Sequence, residues 1–239
     1  MPLSLGTFLD NCATQHGDRE AIAYAPQERV TQRLSYRGLR QASRIAARKL
    51  LALGVTKGTR VGFLCSNRRE WLPIAFGALR IGAILVPFST MWKRDEIAYA
   101  LRHADVAILL MLSGFRRHAY WATMQEIIPA LGSAESASTP PPLYSAAAPA
   151  LRHVVLLDRT APGAWMWEQI APAADDAFLD TLDAAVSPQD IATIFFTSGT
   201  TAQAKAVVHA HHALVTSAQR IAACFGTTPE DAWWGHMPL

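Results

Sequence analysis

The stretch FFTSGTTAQAK, residues 195–205, decides how this chain of 239 residues is read. Hydroxyls at Thr197, Ser198, Thr200 and Thr201, a glycine at 199 and a lysine at 205 follow directly on an apolar run. Successive backbone N–H groups in a turn make a concave anion nest, the hydroxyls add short-range donors, and the lysine adds a point charge. Gly199 lets the backbone come close to a ligand. The spacing is not the G-x-x-x-x-G-K-[ST] loop, because no glycine precedes Lys205 and no Ser or Thr follows it. The stretch therefore reads as a different phosphate-binding loop, set against the plainer reading of a polar turn after a strand.

Outward from the loop, short apolar strands alternate with helices. Ser35 is placed to cap a helix reaching 53, with Leu39, Ala42, Ala46, Leu50 and Leu53 at helical spacing and Gly54 closing it. A strand over 60–65, a helix over 70–81, a strand over 83–86, a helix over 94–103 and a strand over 106–111 follow. This alternation predicts an α/β fold with mostly parallel sheets flanked by helices, right-handed crossovers, and ligands at the carboxyl-terminal ends of the strands. Residues 132–150, rich in Ser, Ala and Pro, read as a surface connection. The expected organisation is a first α/β subdomain over 1–131, that connection, and the start of a second α/β subdomain over 151–239 carrying the phosphate loop. A strand is expected over 153–157, Trp165 and Trp167 as packing residues, a strand over 206–209, and a helix from His211 or His212 with Leu214, Ala218, Ile221 and Phe225 on one face.

Composition limits the function classes. Hydrophobic residues make up 51% of the chain, enough to fill a core, and a net charge of +3 with scattered basic residues argues against a nucleic-acid partner. Cys12, Cys65 and Cys224, odd in number and widely spaced, fit reduced thiols and not a disulfide framework or a zinc site. Asp10 arrives early and no basic start leads into an apolar run, so no export signal is read and cytoplasm is the expected compartment. Residues 71–88 approach spanning length, but Arg80 sits near their middle and Gly82 and Pro87 divide them, so helix plus strand is expected and no membrane span. His209, His211 and His212 lack the Cys, Asp or Glu that would complete a metal site, and a strand-to-helix junction accounts for them better. No Ser/His/Asp triad can be assembled, and Ser198 reads as a donor to phosphate.

The loop resembles the signature [YF]-T-S-G-T-T-G-x-P-K-G-V of the adenylate-forming (AMP-binding) superfamily, most like the AMP-dependent acyl-CoA synthetases. Phe196, Thr197, Ser198, Gly199, Thr200, Thr201, Lys205 and Val207 match it, whereas Ala202, Ala204 and Ala206 replace its Gly, Pro and second Gly. A left-handed backbone at 202 or 206 would cost an alanine roughly 1–2 kcal/mol. Losing proline at 204 costs about 0.4–1 kcal/mol if proline's geometry fits. Collinear matches run along the chain. LSYRGL (34–39) resembles L-[ST]-Y-x-E-L, LGVTKGTRV (53–61) resembles L-G-V-x-x-G-D-x-V, residues 71–87 resemble A-x-x-x-G-A-x-x-V-P, and DEIAYAL (95–101) resembles the helix after it.

The resemblance implies the N-terminal part of an AMP-forming ligase that activates a carboxylic acid, fatty or related, with ATP and Mg2+, then transfers the acyl group to CoA. It assigns Thr197, Ser198, Gly199, Thr200, Thr201 and Lys205 to the phosphates and His211 to a structural or substrate-lining place. It assigns no catalytic residue and no protein-bound metal. Members of the family are longer, and DAWWGHMPL (231–239) stops inside a strand motif. The resemblance thus implies that the adenine, ribose and lid motifs lie elsewhere and that this chain alone is inactive. Other readings are a non-catalytic nucleotide-binding or interaction protein, a truncated reading frame without function, and complementation by a separate chain.

Overall fold

Ser4 accepts a hydrogen bond from the Thr7 N–H at 3.1 Å and starts α1, Leu5–His16, satisfying an amide that the first helical turn leaves unpaired. The structure, a computed structural model, describes residues 3–25, 30–134, 137, 139–197 and 204–235. After α1, β1 (Glu20–Tyr24) and β2 (Gln32–Ser35) pair as a separate antiparallel ribbon. Ser35 then caps α2, Tyr36–Ala52, by accepting from the Gly38 N–H at 3.1 Å. Gly54 leaves that helix at φ +77°, a conformation that costs glycine little.

Three strand–helix units follow: β3 (Arg60–Leu64), α3 (Trp71–Arg80), β4 (Ile84–Pro87), α4 (Arg94–His103), β5 (Ile108–Met111) and α5 (Tyr120–Ile127). β6 (His153–Leu156), a short β7 (Trp165–Met166), α6 (Asp176–Ala184), β8 (Ile191–Thr197), β9 (Lys205–Ala210) and α7 (His211–Cys224) are the remaining strands and α-helices of the described residues. Seven strands form one sheet in the order β7-β6-β5-β3-β4-β8-β9, every neighbouring pair parallel except β8 with β9. The mostly parallel sheet flanked by helices is the predicted fold class. Strands from both sides of 132–150 join it, β6 beside β5 and β8 beside β4.

The central strands are apolar on both faces, as a sheet covered by helices requires: all four residues of β5 are buried, as are all of β3 after Arg60. α2 and α3 lie unusually close. A Cβ at Gly77 of α3 would meet the Ala46 Cβ and the Ala47 backbone nitrogen at 2.8 Å, so that position has room for hydrogen alone. Residues 71–88 are the helix-then-strand expected of them, and among the described residues no helix is long and apolar enough to cross a membrane. Trp167 is buried, in keeping with a packing role, while Trp165 donates its indole N–H to His153 Nδ1 at 3.1 Å. Of the residues expected to share one face of α7, Ile221 and Phe225 are exposed, and the buried residues of the helix are His211 and Val215. Among the described residues α7 lies against α1, β9 and β8, and its buried residues fall in its first two turns.

Candidate functional site at the mouth of the β8–β9 hairpin

The sheet changes from parallel to antiparallel at β8–β9, and Thr197 faces Lys205 on the last described rung. Both side chains are exposed. The Thr197 hydroxyl donates to the Lys205 carbonyl at 3.4 Å, which closes the rung. Because β8 runs parallel to β4, this rung lies at the carboxyl-terminal edge of the parallel strands, the edge where open α/β sheets take ligands. No acidic side chain among the described residues pairs with Lys205, so its ammonium charge is available to an anion. Ser198, Gly199, Thr200 and Thr201, and Ala202 with them, lie outside the described residues.

An aromatic cluster supports the rung from the α4 side. The ring of Phe196, one residue before Thr197, meets Trp92 edge-on at 5.5 Å, and Trp92 meets Phe88 at 5.2 Å. Edge-to-face packing of this kind adds about 0.5–1.5 kcal/mol per pair beyond the area it buries. Ala206, where the sequence left open a left-handed backbone, pairs with Phe196 inside β9 and is not among the residues with positive φ. Its alanine therefore carries no such strain.

His211 is set apart from the rung. It lies six residues beyond Lys205, roughly 20 Å at the rise of an extended strand. It is fully buried, and its Nδ1 accepts the Leu5 N–H at 3.2 Å, which leaves the proton on Nε2 with no acceptor among the described residues. Burial pushes its pKa from 6.5 down to about 4, with Asp190 pulling the other way. The geometry joins α7 to α1 through an uncharged imidazole.

One feature of the same sheet edge was missed in the sequence. The turn after β5 carries Arg116, at φ +53°, with Arg117 and His118, around an open recess of about 350 Å³. Asp158 anchors the start of this turn, accepting from both the N–H and the hydroxyl of Ser113 at 3.0 and 2.8 Å. Two adjacent arginines following an apolar strand and a glycine were the available signal. Among the described residues no three His, Cys, Asp or Glu side chains come together as a metal site requires.

Residues 9–239 match the family described as AMP-binding enzyme. The chain belongs to this family. Among curated AMP-binding relatives, the acyl-CoA ligase sidI of Aspergillus fumigatus is 28% identical over 243 residues, covering 100% of this chain and 39% of the relative. The mouse medium-chain acyl-CoA ligase ACSF2, mitochondrial, is 29% identical over 91% of this chain and 35% of its own length. Solved structures agree in fold. A Mycobacterium tuberculosis fatty acyl CoA synthetase superposes with a TM-score of 0.64 at 23% identity, covering 96% of this chain and 38% of that one. The anthranilate CoA ligase AuaEII, solved with anthranoyl-AMP, gives 0.65 at 22% identity over 91% and 36%. The chain thus spans about two-fifths of the length of the AMP-binding relatives it matches.

Proposed function

We propose that this chain is the ATP-phosphate-binding part of an AMP-forming acid–CoA ligase. The observation that carries the reading is the exposed rung of Thr197 and Lys205 at the carboxyl-terminal edge of the sheet, with no acidic side chain among the described residues paired to the lysine. The acyl-CoA ligase names of its relatives support the reaction class. In the proposed reaction a substrate carboxylate oxygen attacks the α-phosphorus of Mg-ATP, the bond to the β-phosphate oxygen breaks, and pyrophosphate leaves. The CoA thiol then attacks the acyl carbonyl, forming a thioester and releasing AMP. Lys205 would offset charge on the β- and γ-phosphates and on departing pyrophosphate, with donors from Thr197, Ser198, Gly199, Thr200 and Thr201. Within the longer enzyme, residues 151–239, which add β6 to β9 to the sheet, would lead into a second α/β subdomain. His211 serves this arrangement by tying the end of β9 to α1, with any substrate-lining part secondary to that tie.

ATP binding to the 239-residue chain, measured by calorimetry, tests the reading. Saturable binding that weakens about 10- to 100-fold in Lys205→Ala is expected, the span of one hydrogen-bonded charge. Absence of binding, or binding indifferent to Lys205, overturns it. Binding without ATP–pyrophosphate exchange by the longer protein would leave a nucleotide-binding role in place of catalysis.

A further inference from the structure

We infer that Tyr99 is a positioning residue for Lys205, acting through the carbonyl of Ala204; the functional consequence rests on the phosphate-binding reading above. Tyr99 sits in α4, and its hydroxyl donates to the Ala204 carbonyl at 3.2 Å. Its ring meets Phe196 edge-on at 6.2 Å and stacks on His103 at 4.9 Å and 18°. One side chain therefore reaches both sides of the hairpin at its mouth: Phe196 of β8, immediately before Thr197, and Ala204, immediately before β9 begins at Lys205.

Ala204 and Lys205 share a planar peptide, so holding the carbonyl oxygen of one sets the orientation of the N–H of the other. Alanine leaves φ at 204 free, where a proline would fix it, and the tyrosine hydroxyl restrains the chain at that point from outside. The stack on His103 and the edge of Phe196 limit where the phenol can swing, so the hydroxyl is presented in one place. Tyr99 reaches the backbone of Ala204; it sets the point from which the Lys205 side chain departs.

Tyr99→Phe keeps the ring packing and removes the O–H, which separates positioning from packing. In the intact chain, amide hydrogen exchange across 204–206 is expected to accelerate in Tyr99→Phe while the thermal midpoint stays within a degree or so of the parent. ATP affinity is expected to fall about three- to tenfold, the range of one neutral hydrogen bond. In a Lys205→Ala background the same change should have no further effect on ATP affinity, because the tyrosine acts through the lysine. Unaltered exchange at 204–206 overturns the tether, and an equal loss of ATP affinity with and without Lys205 overturns its action through Lys205. If the parent chain binds no ATP, the phosphate-binding reading falls while the exchange measurement still decides whether Tyr99 holds the 204–205 peptide.

Discussion

At His211 the surroundings change the chemistry of a single side chain. The neutral imidazole is buried against α1, and its pKa drops from 6.5 to about 4 because burial removes hydration that Asp190 only partly replaces. The unfolded chain therefore binds a proton that the folded chain does not as the pH falls from 6.5 towards 4, and stability contributed by the neutral imidazole is lost across that window. Asp183 acts with the opposite sign: burial raises its carboxyl from 3.8 to about 6, so the folded state takes up a proton first as pH falls below 6. Comparison with His211→Gln isolates the histidine. Urea unfolding of both proteins at pH 7 and pH 4.5 should show the parent losing roughly 2–3 kcal/mol relative to the variant. Parallel pH profiles would remove the histidine from the account. The sequence showed His211 at a strand-to-helix junction, but its acceptor role toward Leu5 spans 206 positions of chain and had no local sign.

At the scale of elements, α2, β3, α3, β4, α4, β5 and β6 were legible because their hydrophobic periods are local, and at α2 a capping serine and a closing glycine agree with the period. The ends of α4 fall where the spacing put them, at Arg94 and His103. The strand expected over 206–209 runs from Lys205 to Ala210, because pairing with β8 extends it. α1, the β1–β2 ribbon, α5, α6 and the two-residue β7 were not read from the sequence. Their apolar patterns are short or weak, and tertiary neighbours supply what local preference does not. The contact of α2 with α3 depends on Gly77, whose position faces backbone atoms of α2 that cannot yield. Gly77→Val should lower the unfolding free energy by about 2 kcal/mol, since overpacking at a rigid contact costs about 1–3 kcal/mol and valine gains only a few tenths of a kcal/mol in helix preference over glycine. Chemical denaturation checks this, and an unchanged midpoint would mean that the two helices separate without cost.

Across the whole molecule, Arg80 joins four helices. Its side chain is fully buried in α3 and is paired with Asp183 of α6 and, at 3.1 Å, with Asp10 of α1, while its Nε donates to the Ser43 hydroxyl of α2 at 3.2 Å. Arg80→Met leaves Asp183 without its paired cation and Asp10 with Arg40 alone, and should cost about 3–5 kcal/mol, whereas adding Asp183→Leu should recover much of the loss. Thermal unfolding of the single and double variants measures this, and a double variant no more stable than the single would show that the pair is not the source of the cost. In the sequence, Arg80 was a lone charge that excluded a membrane span. Its partners lie 70 and 103 residues away in the chain.

By itself the sequence determined the alternation of helix and strand, the mostly parallel sheet and the family resemblance of the 195–205 loop, because each depends on residue spacing within a few turns of chain. Only the tertiary structure decided that β3 lies between β5 and β4, that β8 joins β4, that Thr197 meets Lys205, and that Tyr99 reaches Ala204. Apolar strands of similar composition carry no label for their neighbours. Their order, and the side chains that the order brings together, come from burying all of their faces at once.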